Sequence, residues 1–206
     1  MLTFDEIGHI YKYKGTVIPS VTQVLGGWLR VKFGRTFYIN SVDGTTVDAE
    51  TFEDAQDFGT AIHCACKILL TGDLAWNVLD QALVASLREF EKWIEDYRIK
   101  PILVEHPLYS AVHRYAGTPD LICESGAFKG TLLIDFKTGI KSPFTGPQTA
   151  AYEMLYREFS GYRGQIRRFE LTLPKDGGPY KMQPLTGIND NAFFLSKLFQ
   201  YNFLKA

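Results

Sequence analysis

The run Leu132-Leu133-Ile134-Asp135-Phe136-Lys137-Thr138-Gly139 sets an acid and a lysine two residues apart at the end of an apolar stretch. Side chains alternate along a strand, so Asp135 and Lys137 would share one face, about 6.6 Å apart, while Ile134 and Phe136 share the other, core-facing one. A carboxylate can hold a divalent metal. An ammonium can stabilise charge that builds on a phosphate or help orient a water, so the pair suits phosphodiester hydrolysis. Taken alone, it also fits an ion pair at the surface end of a strand.

Further acidic groups stand upstream. In Gly117-Thr118-Pro119-Asp120-Leu121-Ile122, Asp120 sits where a turn enters an apolar strand. Antiparallel pairing with 131–136 would place it beside Asp135, and two converging carboxylates make an oxygen-rich site for Mg²⁺ or Mn²⁺. The competing role for Asp120 is a turn cap after proline. Glu105 follows Ile102-Leu103-Val104 and is either a third acid or the polar end of an edge strand. His63 lies on a helix four residues after Gly59, which has no side chain to block approach on that face. Cys64 and Cys66 suggest zinc, but four ligands at suitable spacing are missing. Gln148 and Tyr152, four apart on the helix that follows the Asp–Lys strand, face the same way.

The elements that must position these residues can be read from periodicity. Residues 9–18 alternate around Gly15 as a hairpin, and Pro19-Ser20 opens a helix expected to reach Leu29. The polar, weakly periodic stretch 30–56 reads as a long loop or short helical pieces. Helices are expected from Asp57 to Leu70 and from about Trp76 to Tyr97. Short strands follow at 102–104, 115–123 and 131–136, then a helix from Pro147 to about Phe159. Strands at 165–173 and 180–184 and a helix over 189–201 complete an α/β sheet with helical flanks.

Length and composition bound the rest. At 206 residues, 46% hydrophobic and 22% charged, one domain with a sizeable core is expected, 1–56 being an extension and 57–206 the core. Twenty-two Lys+Arg against 23 Asp+Glu give a net charge of -1, which excludes a histone-like polycation but leaves room for a small basic groove. Three cysteines argue against a disulfide framework and for a reducing cytosol. No apolar run approaches 18 residues, the start carries no signal-peptide pattern, and no G-x-x-x-x-G-K-[ST] loop announces a nucleotide cofactor.

In order, His63, Glu105, Gly117-Thr118-Pro119-Asp120, Asp135-Phe136-Lys137-Thr138-Gly139 and Gln148-Thr149-Ala150-Ala151-Tyr152 form a spaced series. It resembles the PD-(D/E)XK nuclease superfamily, specifically its RecB-like branch with phage-type exonucleases, over about residues 57 to 160. The opening Ile18-Pro19-Ser20-Val21-Thr22-Gln23-Val24-Leu25 also looks like the start of phage-type members. The resemblance implies a restriction-endonuclease-like core, a mixed central β-sheet flanked by helices. It implies that Asp120, Asp135, His63 and the Phe136 carbonyl would hold Mg²⁺ or Mn²⁺, with Lys137 as catalytic lysine. Gln148 and Tyr152 would support the site and contact nucleic acid, and Glu105 matches an acidic position often seen before the first motif. The second acid is Asp where many relatives have Glu. The iron–sulfur relatives need four cysteines, so no cluster is expected here.

The activity so implied is a metal-dependent DNA exonuclease of phage-type recombination or repair. A nicking or structure-specific endonuclease and a non-catalytic DNA-binding or assembly module are the alternatives. DNA is the expected partner. Annealing or helicase activity would have to come from another protein, no membrane is involved, and self-association as a homo-oligomer occurs among phage relatives. Lys32, Arg35, Lys141, Arg163, Arg167 and Arg168 are candidate backbone contacts, with Tyr38 or Tyr162 as stacking groups. Only one of Arg167 and Arg168 can face DNA from a strand.

Overall fold

The computed structural model describes residues 1–5, 8–26, 28–33, 35–40, 46–72, 74–139 and 142–205, with backbone only at 28–31, 33, 35, 37, 39, 40 and 46. Lys141 and the side chain of Arg35 lie outside the described residues.

An N-terminal sheet is built from β1 (Leu2–Asp5), β2 (Ile10–Tyr13) and β3 (Thr16–Ile18). Helix α1 (Val21–Leu25) follows, started by a reciprocal cap in which Ser20 and Gln23 satisfy each other's backbone amides. It stops at Leu25, short of the expected Leu29. The stretch expected to be loop or short helix instead forms β4 (Trp28–Phe33), β5 (Arg35–Asn40) and β6 (Thr46–Asp48), an antiparallel sheet. Helix α2 (Ala49–Thr71) begins eight residues before Asp57, because the Asp48 carboxylate accepts the Thr51 amide at 2.9 Å and caps it there. Its first turns are polar outside, which hid them from the periodicity.

The second expected helix is split. A 3₁₀ turn at Trp76–Val78 precedes α3 (Gln81–Tyr97), which Asp80 caps through the Ala82 amide. Strands β7 (Lys100–Val104), β8 (Leu108–Ser110), β9 (Tyr115–Gly117), β10 (Leu121–Glu124) and β11 (Thr131–Lys137) come next. The single run expected over 115–123 is broken at Thr118-Pro119, where proline has no amide to extend a ladder. Helix α4 (Thr145–Ser160), β12 (Ile166–Thr172), β13 (Lys181–Pro184) and α5 (Asp190–Lys205) complete the chain.

The main sheet has the order β13-β12-β11-β10-β7. β11 and β12 are parallel, joined through α4, and the other pairs are antiparallel. The fold is therefore mixed α/β, a mixed five-stranded sheet flanked by helices. Strand alternation decides what each face holds. Leu132, Ile134 and Phe136 pack with Ile62 and Cys66 of α2 and with Leu87, Phe90 and Trp93 of α3. Leu133 packs the opposite way, with Leu155 of α4, Phe194 of α5 and Val21 of α1. Asp135 shares the parity of Leu133, so it starts on the α4 face while its neighbour Phe136 starts on the α2 face.

The N-terminal sheet is fastened to this body near β9. The Ala116 amide donates to the Pro19 carbonyl at 2.9 Å, Tyr11 Oη and Thr118 Oγ1 are 2.7 Å apart, and Tyr13 stacks on Tyr109 at 4.2 Å. No described helix is long and apolar enough to cross a membrane.

Leu133→Ala should lower unfolding free energy by about 2–5 kcal/mol, since a fully buried side chain leaves a cavity between β11 and α4. Ile188→Ser, at a residue 94% exposed, should stay within about 0.5 kcal/mol. Urea melts at fixed pH compare the two, and equal losses would contradict this placement of the core.

Candidate functional site

Pairing of β10 with β11 puts Leu121 opposite Ile134. One step further, the antiparallel register sets Asp120 against Asp135. Asp120 turns to the backbone of the facing strand, where Oδ2 accepts the Phe136 amide at 2.7 Å. Its other oxygen, Oδ1, lies 3.4 Å from Nδ1 of His63, which α2 delivers from the far side of the sheet. The His63 ring also meets Phe136 edge to face at 5.6 Å. Asp135, only 1% exposed, has Oδ2 2.5 Å from the Lys137 ammonium and Oδ1 accepting from Gln148 Nε2 at 3.1 Å. Gln148 reaches Tyr152 Oη at 3.3 Å, so these two α4 residues and the Asp–Lys pair form one network.

Local sequence explains the close approach. A Cβ on Gly117 would come within 2.6 Å of the Tyr152 ring, so only glycine lets α4 press Tyr152 against the turn carrying Asp120. A Cβ on Gly59 would stand 3.1 Å from Thr138 Oγ1, which explains how α2 nears the end of β11.

Two buried carboxylates side by side cannot ionise equally. Burial opposes the Asp120 charge, but His63, Lys137 and the Phe136 amide outweigh it and hold its pKa below the usual carboxylate range. Burial pushes Asp135 up to about 6, and the Asp120 charge adds to this against the attraction of Lys137. Burial likewise disfavours charged Lys137, yet Asp135 and Asp120 prevail and raise it. Burial alone would lower His63, and Asp120 lifts it instead to about 9. At neutral pH the cluster therefore holds two anions and two cations.

Glu105 stands beside this cluster. Its amide donates to the Asp120 carbonyl at 3.0 Å, its carboxylate lies 3.4 Å from Lys67, and burial raises its pKa. It also adopts a left-handed backbone, φ 42°, uncommon for a non-glycine residue and a mark of local constraint. Glu170 of β12 is a further carboxylate that sequence reasoning missed. It pairs in parallel register with Asp135, is buried, and its charge helps raise the Lys137 pKa. Its signal was available as a lone acid between Phe169 and Leu171 in a strand run.

Other candidates lie elsewhere. Arg167 is level with Leu132, three residues along the strand from Asp135, where its guanidinium sits over Phe128 and donates to the Lys129 carbonyl. Arg168 ties α4 to the start of α5 through Glu153, Asp190 and the Gly146 carbonyl. Tyr38 stacks on Phe52 at 4.1 Å and donates to Glu53, and Tyr162 packs near Tyr156. Lys32 and Arg163 are exposed.

The site opens on the α2 side, where His63 is 30% exposed. A cavity of about 490 Å³ there is lined by His9, Thr60, Glu105 and Asp120, and one of about 280 Å³ by Phe52, Lys137 and Thr138. His63 and Gln56 line both, so the two form one cleft divided at His63. A separate cavity of about 720 Å³ lies around Phe128, Phe169 and Met182, toward the other end of β12.

Two carboxylates and an imidazole are a donor set that suits a hard divalent cation. Asp135 Oδ2 is buried and makes no well-formed hydrogen bond, although Lys137 is close, which leaves an acceptor for a cation. Among the described residues no three His, Cys, Asp or Glu side chains are already gathered into a metal cage, because Asp120 and Asp135 each turn oxygens to protein donors. The donor types fit Mg²⁺ or Mn²⁺. Cys64 is exposed, while Cys66 and Cys123 are buried in the core, and none of the three is in a disulfide. Comparison of the chain with protein-family models and with curated proteins gives no significant match.

In metal-free protein, the His63 imidazole should titrate near pH 9 by NMR, and Asp120→Asn should drop it below the ordinary 6.5. A raised histidine contributes stability in full below 6.5, and that share is lost as pH rises through about 9. The depressed Asp120 contributes above its ordinary 3.8, and its share is lost as pH falls through its lowered value. An imidazole that still titrates near 9 in Asp120→Asn would disprove the pairing.

Proposed function

We propose that this chain is a metal-dependent deoxyribonuclease, acting on linear DNA ends, with a restriction-endonuclease-like core as its scaffold. The observation that carries the reading is the meeting of Asp120 and Asp135 across β10 and β11, with His63 3.4 Å from the first and Lys137 2.5 Å from the second. Asp135, 1% exposed, is buried more deeply than a surface ion pair needs, and four ionisable groups that converge beside a cleft favour a functional site.

Asp120, Asp135 and His63 would hold Mg²⁺ or Mn²⁺, with the Phe136 carbonyl as a further ligand. When bound, such an ion supplies a Lewis acid for the phosphate and lowers the pKa of water. The residues themselves do the positioning. The Phe136 amide and Gln148 each fix one carboxylate oxygen, which sets the direction of the others. Lys137 stays protonated through the neutral range and lines the cleft, so it can stabilise negative charge growing on a phosphate. Tyr152, buried beneath Gln148, keeps that amide in place. Glu105 with Lys67 and Glu170 behind Lys137 shape the field around the reacting group.

End-labelled linear DNA should be degraded with Mg²⁺ and left intact in EDTA, and covalently closed circular DNA should resist. Lys137→Ala and Asp135→Asn should each lower kcat by at least about 10²- to 10³-fold without changing the circular dichroism spectrum. Full activity in Lys137→Ala would remove the lysine role, and cutting of closed circles would favour an endonuclease. DNA affinity should fall steeply with salt as phosphate contacts release counterions.

A further inference from the structure

The cleft has one wall that the cleavage chemistry does not use. Phe4 of β1 and His9, in the turn leading into β2, line the 490 Å³ cavity together with Gln56 and Thr60 of α2 and with His63 and Asp120 of the proposed metal site. Phe4 stacks on Tyr11 at 4.4 Å. His9 stands perpendicular to both rings at nearly equal centroid separations, 5.3 and 5.6 Å. Equal separations put the imidazole alongside the edges of that stack rather than on top of it, so neither ring covers His9 face to face. His9 is exposed and held in a left-handed backbone, φ 48°, so the turn spends conformational energy to present this ring. Although the residue is exposed overall, burial of part of its ring lowers its pKa below the ordinary histidine value, so the open side is a neutral π face at neutral pH.

The N-terminal sheet is no loose appendage. Tyr11, which carries the aromatic stack, is buried and bonded through its hydroxyl to Thr118, two residues before Asp120. A hydrogen bond thus links the ring wall to the turn that carries the first carboxylate. A cavity of this size falls within the range of small-ligand sites. Gln56 and Thr60 also line this cavity and offer polar groups to what lies in it.

We infer that His9, backed by Phe4 and Tyr11, is a stacking platform for an unpaired nucleobase next to the phosphate being cleaved, and that the preferred substrate is therefore single-stranded or frayed DNA. This rests on the nuclease reading above and adds its substrate class. A base inside a duplex is stacked on both faces, and a terminal one, though free on one face, is paired to the other strand, which a cavity of this size does not also admit. A base in single-stranded DNA can, and aromatic stacking tolerates any sequence because every base has a π face.

The test compares kcat/KM for a single-stranded oligonucleotide and the matching blunt duplex in Mg²⁺. An abasic site is placed in turn at each of the first three nucleotides from the labelled end. The single strand should be preferred. His9→Ala should lower its kcat/KM by about 5- to 100-fold, mostly through KM, and His9→Phe should stay within about 3-fold of wild type. One abasic position should cost wild type the same factor and cost His9→Ala almost nothing more, a non-additivity that a merely structural role would not produce. With 2-aminopurine at that position and Ca²⁺ in place of Mg²⁺, fluorescence should be quenched by wild type and His9→Phe but not by His9→Ala. Thermal melts check that both variants fold. Equal rates on single strand and duplex, or abasic and His9→Ala losses that multiply, would overturn the platform while leaving the nuclease reading standing. No cleavage of either DNA in Mg²⁺ or Mn²⁺ would overturn both.

Discussion

The antiparallel register of β10 on β11 is the constraint on which the rest depends. It forces Asp120 and Asp135 into the same row of the sheet, Asp135 buried and Asp120 partly so. Two adjacent carboxylates in a poorly solvated setting repel one another and lose hydration, costs that an unassisted fold would not tolerate. The surrounding structure answers with three kinds of compensation. Lys137 comes from the same strand, His63 from α2, and the Phe136 amide from the ladder itself. None of these makes an apolar core more stable than leucines would, since buried ion pairs seldom do. Their arrangement keeps anionic oxygens concentrated beside a cleft, the feature on which the proposed metal site rests.

Strand parity then explains how groups from both sides of the sheet reach one point. Asp135 starts toward α4 and finds Gln148, while Phe136 starts toward α2 and touches the His63 ring. The strand β11 ends at Lys137, so beyond it neither face is closed by further sheet, and side chains from above and below can converge. Ligand sites in open α/β sheets gather at such strand ends for this reason. Gly117 and Gly59 let α4 and α2 come close enough, one on each side.

Much of this was legible in the residues. Alternation alone puts Asp135 and Lys137 on one face, helical spacing puts Gln148 and Tyr152 on one face, and the turn residues before Leu121 allow the antiparallel return that aligns the acids. What was not legible has physical causes. In β4 the apolar Leu29, Val31 and Phe33 do alternate with Arg30 and Lys32, but the run is short and set in a polar stretch, and the contact of this sheet with α2, as in the Tyr38–Phe52 stack, is not encoded locally. The first turns of α2 depend on a single capping carboxylate, Asp48, whose effect no hydrophobic pattern reports. Glu170 becomes part of the site only through a parallel partner more than thirty residues away, a pairing that local sequence does not encode. The reason for Gly117 likewise appears only once Tyr152 is placed against it.

The N-terminal fifty residues are the largest revision of all. As sequence they look separable from the core, a hairpin and a polar stretch ahead of the helix with His63. In space β2 and β3 are tied to β9 by the Pro19–Ala116 bond, the Tyr11–Thr118 bond and the Tyr13–Tyr109 stack. These contacts all fall within five residues of Asp120 or on the strand paired with β9. The N-terminal sheet is therefore linked to the turn that carries the first carboxylate, and removing it would take away one wall of the cleft along with the packing around Tyr11. A metal site needs only the strand ends and α2. The cleft beside Asp120 has a further wall, and among the described residues Phe4 and His9 of the N-terminal segment supply it.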